Sequence, residues 1–166
     1  MAKERTIIVI LAFDQASSVT GWAVFSDGWL TDYGVIKVKT YHTTPDERIM
    51  EMFWKIRKTM EQFEPDVVVM EDVAKQKNVY SLIRLARVQG AMMEMCREMG
   101  IGMPDIVKPS TWREALHFKQ GRTERKELKR QAQAFVNDKY GMTVSEDEAD
   151  AICIGEYYMI SKEDKA

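Results

Sequence analysis

The chain is poor in the residues that build imidazole and thiolate sites. It has two histidines and two cysteines in 166 residues, so a zinc centre is not expected. Cys96 and Cys153 are far apart and form no CxxC, and they read as reduced core thiols rather than a disulfide. Prolines number four and glycines nine. No Pro/Gly-rich linker, repeat or low-complexity segment divides the chain, so 1–166 reads as one domain. No apolar run approaches the ~20 residues of a membrane helix. The opening MAKERTIIV has a short basic segment, with no long apolar stretch and no small-residue cleavage site. A cytoplasmic protein without a membrane partner is the expectation.

Charge of either sign is not in large excess: the net value is -2. The distribution is uneven, however. Between Lys108 and Arg130 there are eight Lys or Arg against three Glu. Such a balance excludes a general polyanion binder but allows a local basic stripe.

What the chain does have is apolar runs that end in acid. Ile7–Phe13 is continuously apolar and runs into Asp14, which predicts a strand over Thr6–Asp14 buried on both faces. Thr20–Phe25 and Trp29–Val38 follow, and Asp27-Gly28 between them signals a hairpin, giving an antiparallel meander. TTPDE predicts a helix start, with Thr44 as cap, Pro45 first and Glu47 closing a capping box. Ile49, Phe53, Ile56, Met60 and Phe63 give that helix one apolar face. Asp66–Met70 is a second buried strand, ending at Glu71-Asp72. A helix over Val79–Met99 carries Leu82, Ile83, Ala86, Met92, Met93, Cys96 and Met99, its methionines read as core filling. GMPDIVKPS predicts a fifth strand, followed by a short helix at Thr111–Leu116. A charged helix with a narrow stripe of Leu128, Ala132 and Phe135 comes next, then a last helix from Glu146 to Ile160. Strands linked by helical crossovers should be parallel. The fold class is therefore α/β, a mixed five-stranded sheet of a three-strand meander plus two parallel strands, flanked by helices. Sites in such sheets gather at the carboxyl ends of the central strands.

Asp14 and Glu71 end two strands that would be parallel neighbours. Ser145–Glu148 reads as a capping box, so Asp147 and Asp150, three apart, project from one helix face. Taken singly, Asp147 could be a dipole-favoured first-turn acid and Asp14 a turn residue. Taken together, the four form an oxygen-only set whose mutual repulsion calls for cations. Oxygen ligands suit Mg²⁺ or Mn²⁺. Two such ions about 4 Å apart support in-line phosphodiester displacement.

ILAFDQASSVTGWAVF resembles the first motif of RuvC-type Holliday-junction resolvases, which have a ribonuclease-H-like fold. PDVVVMEDV resembles their glutamate-bearing motif, and EDEADAICIG their final pair of aspartates three apart. The resemblance covers residues 6 to 160, and with VKPSTWREAL is similar to bacteriophage-type members. It implies catalytic and metal-ligating roles for Asp14, Glu71, Asp147 and Asp150, with two Mg²⁺ (or Mn²⁺) per active site. It also implies a homodimer acting on four-way or other branched DNA, inside a bacterial host if phage-encoded. The chain departs from the family in one place, Ala74, where chromosomal members carry an aromatic wedge; this segment offers Lys75, Lys77 and Tyr80 instead.

Phosphate contacts need cations. The candidates are Lys75 and Lys77 beside Glu71, Lys108 after the fifth strand, and Lys119, Arg122, Arg125, Lys126 and Lys129. Trp112 reads as a core or interface anchor. Competing functions are an RNA-processing nuclease of the same fold, a junction-binding protein with little catalysis, and an actin-like nucleotide-binding half. Sequence does not separate DNA from RNA, nor reveal whether a branch-migration motor protein is a partner.

Overall fold

The computed structural model describes residues 7–163. Five strands, β1 (Val9–Asp14), β2 (Val19–Ser26), β3 (Trp29–Lys37), β4 (Val67–Glu71) and β5 (Asp105–Val107), form one sheet in the order β3-β2-β1-β4-β5. The β1–β2 and β2–β3 pairs are antiparallel, and β1–β4 and β4–β5 are parallel. This is the expected mixed sheet. Five helices complete it: α1 (Pro45–Phe63), α2 (Val79–Glu98), α3 (Pro109–Ala115), α4 (Arg125–Tyr140) and α5 (Glu146–Glu163).

The strand period of two explains the layers. Leu11, Phe13, Val24, Val68 and Met70 face α1 and α2, while Ile10, Ala12, Ala23, Phe25 and Val69 face α3, α4 and α5. Asp14 and Glu71 continue the second parity, so both project on the α5 side. Asp72, of opposite parity, bonds instead to Gln89 on α2 and to the Val73 N–H.

Local signals place the element starts. Thr44 Oγ1 accepts from the Glu47 N–H, and Glu47 Oε2 accepts from the Thr44 N–H. Ser145 and Glu148 make the same reciprocal pair before α5. Asp27 and Gly28 both adopt positive φ, 50° and 85°, as a tight hairpin turn with right-handed strand twist requires.

Three expectations need correction. The first strand begins at Val9, with Ile7 and Ile8 outside it and exposed; Thr6 lies outside the described residues. Those two isoleucines find no partner strand on which to be buried. The short third helix starts at Pro109, two residues earlier than Thr111, because proline suits a first helical position. The α2 face is the largest difference. Val88, Met92, Met95 and Cys96 are buried, whereas Ile83 and Ala86 are exposed, since the helix's N-terminal half runs beyond the sheet-covering layer. Among the described residues, no helix is long and apolar enough to cross a membrane.

Candidate active site

A cavity of about 380 Å³ opens at the carboxyl ends of β1 and β4, and Asp14, Glu71, Asp147 and Asp150 all line it. Register brings the first two together: Phe13 pairs with Met70, so the next residues are neighbours. The other two come from the first turns of α5, which docks on the same sheet face. Two glycines make that docking close. A Cβ on Gly21 would fall within 3.0 Å of the Asp147 backbone carbonyl, and one on Gly155 would fall within 3.0 Å of the Phe25 ring.

The acids are electrostatically strained. Burial first, then Asp150 and Glu71, hold Asp14 well above the usual aspartate range. Burial also raises Glu71, partly countered by a hydrogen bond from Trp112. Asp150 is raised by burial against the pull of Lys129. The common cause is desolvated like charge, the condition a cation relieves.

Protein groups supply part of that relief. Lys129 Nζ pairs with Asp150 and stands 3.8 Å from Asp14 Oδ2. Burial opposes the Lys129 charge, but Asp150 and Asp14 outweigh it and keep its pKa above the ordinary value. Trp112, fully buried, donates from Nε1 to Glu71 Oε2 at 2.7 Å. Gln15 donates from Nε2 to the Glu71 carbonyl. Among the described residues no three acidic, His or Cys side chains are arranged around one point as metal ligands. The donor chemistry nonetheless fits hard divalent ions: four carboxylates, oxygen only, on one cavity.

The predicted cations distribute unevenly. Arg125 lines the acid cavity, as does Lys129, but Lys129 is engaged by carboxylates rather than free for phosphate. Lys75 and Lys77 are exposed on the loop after β4, and Lys126 is exposed on α4. Lys119 and Arg122 line a separate recess before α4. Lys108 lines a recess with Tyr157 and Tyr158 at the β5 edge, apart from the acid cavity.

Sequence reasoning missed Gln15, Gly21, Arg113 and Gly155, and it read Trp112 as an anchor without its bond to Glu71. Three of them sit inside the acid motifs, where Gln15 follows Asp14, Gly21 lies in ILAFDQASSVTGWAVF and Gly155 closes EDEADAICIG; Arg113, in VKPSTWREAL, carried no such signal.

The family model described as crossover junction endodeoxyribonuclease RuvC matches residues 10–155. The protein of that name from Citrifermentans bemidjiense is 26% identical over 156 residues, covering 89% of each chain. The one from Orientia tsutsugamushi is 27% identical over 152 residues, covering 87% of this chain and 91% of its own. Among solved structures, Thermus thermophilus RuvC in complex with a Holliday junction substrate superposes with TM-score 0.71 at 16% identity, over 93% of this chain and 96% of that one. The yeast mitochondrial Holliday junction resolvase gives 0.56 at 14%, over 90% and 77%. These two likenesses establish the shared fold.

Proposed function

Since the chain belongs to the crossover junction endodeoxyribonuclease RuvC family, we propose that it resolves four-way DNA junctions by metal-dependent phosphodiester hydrolysis, acting as a homodimer. The observation that carries this reading is the convergence of Asp14, Glu71, Asp147 and Asp150 on one cavity. Asp14 and Glu71 hang from rigid, doubly covered strands, and Asp147 and Asp150 from a helix pressed onto them. Bound there, two Mg²⁺ or Mn²⁺ ions would supply Lewis acidity on both sides of an in-line displacement. The protein's part is to hold the four carboxylates, relieve their repulsion with Lys129, and admit an anionic strand past Arg125.

Dimerisation is supported by α2. Val79 and Ile83 are exposed apolar residues, 58% and 40% accessible, with Ala86 and Gly90 also exposed. Positions 79, 83, 86 and 90 follow the four-three spacing of a helix-pairing seam. The loop carrying Lys75 and Lys77 leads directly into that seam, so pairing would set two basic loops near a common axis.

The test is cleavage of labelled four-way junction and plain duplex in Mg²⁺ and in Mn²⁺. The junction is expected to be cut in preference. Equal cutting of both removes junction selectivity, and no cutting in either metal removes the enzymatic reading. Junction binding without cleavage would leave a binding protein, and preference for RNA would redirect the substrate class.

A further inference from the structure

Arg113 is a cation on the wall of the acid cavity. Its Nε is buried and has no hydrogen-bond partner among the described residues. Native structures pair nearly all such groups, so an unpaired one marks a place where something else completes it. Among the described residues, the other buried side-chain atom without a partner is Gln15 Oε1, which belongs to a residue lining the same cavity.

The guanidinium carbon lies over the Trp112 ring, 5.0 Å from its centroid. The same indole donates from its edge to Glu71. One rigid, fully buried ring thus positions an acid with its N–H and a cation with its face. Arg113 also lowers the proton affinity of Glu71 and Asp150 through space, which places its charge within reach of both. A planar fork of N–H donors suits a phosphate, whose oxygens it can meet two at a time.

We propose that Arg113 grips a non-bridging oxygen of the scissile phosphate and stabilises the charge that develops there. The assignment rests on the nuclease reading above. Arg113 would then be a catalytic residue, while Trp112 is a positioning residue for it and for Glu71.

Single-turnover cleavage of a four-way junction tests this, using normal DNA and each phosphorothioate diastereomer at the mapped cut. Arg113→Gln is expected to cut about 100-fold more slowly, with junction affinity and Tm little changed. Arg113→Lys should recover only part of the rate, lacking the fork. Wild type should slow with one diastereomer in a way that Mn²⁺ does not relieve, and Arg113→Gln should lose that discrimination. Wild-type rates in Arg113→Gln, or slow cutting with the diastereomer effect intact, overturn the assignment alone. Wild-type protein that cuts no nucleic acid overturns the nuclease reading and this assignment with it.

Discussion

Gly21 is the strand partner of Asp14 and also lies under the backbone carbonyl of Asp147, with no room for a Cβ. One missing methyl group therefore sets the spacing between two elements that carry the acids. In Gly21→Ala, backbone must move, because the obstructing atoms are main chain. A stability loss of about 1–3 kcal/mol is expected from overpacking, and displacement of Asp147 should reduce cleavage roughly 100-fold. Thermal melts and single-turnover rates check both; an unchanged rate would show that the α5 position is not set here.

Trp112→Phe keeps an aromatic ring but removes the donor to Glu71. That donor favours the ionised carboxylate, so its loss should raise the Glu71 pKa further. The acidic limb of the pH–rate profile then moves to higher pH, while the basic limb stays in place. Losing one hydrogen bond to a charged group is worth about 1.5–3 kcal/mol. A profile that falls in height without moving would assign Trp112 to packing only.

Asp14 makes the metal-free protein less stable as pH rises above the ordinary aspartate range. Its folded pKa lies above the ordinary 3.8, so the folded state holds the proton more tightly than the unfolded one. The contribution is fully present below pH 3.8 and is lost as pH rises through the raised folded value. In EDTA, the Tm difference between Asp14→Asn and wild type should therefore grow in favour of the variant as pH rises across that window. Mg²⁺ or Mn²⁺ should shrink it. A constant difference would mean that Asp14 bears no excess repulsion.

The four acid-to-amide changes should each abolish cleavage, yet they should not behave alike in stability. Asp150 is 3% exposed and engaged by Lys129, so Asp150→Asn removes the nearer of the two charges paired with a largely buried ammonium and leaves it Asp14 at 3.8 Å. A loss of about 1–3 kcal/mol is expected, against a gain for Asp14→Asn. Denaturant titration without metal separates them, and parallel behaviour would remove Lys129 as the compensating charge.

Ile83→Asp puts a charge in the middle of the exposed α2 seam. A monomer by light scattering is expected, with an unchanged circular dichroism spectrum, because Ile83 takes no part in the buried core. Retention of a dimer would move the interface elsewhere.

Much of this molecule can be read from the chain. Thr44, Asp27-Gly28 and Ser145 act on neighbours within four residues, so their caps and turn appear as predicted. The strand-end acids are legible because a carboxylate after an apolar β-branched run is locally anomalous. The exposed half of α2 was not legible, since its Leu82, Ile83 and Ala86 resemble core until the sheet's extent is known.

The sequence by itself determined the element types, the mixed sheet and the four acids, because those depend on period, caps and covalent order. Tertiary structure alone decided that Lys129 answers Asp150 and Asp14, that Trp112 holds Glu71 from 41 residues away, and that Gly21 admits α5. Each of these is a contact between segments distant in the chain, made at ångström tolerance by close packing, and no local pattern encodes it.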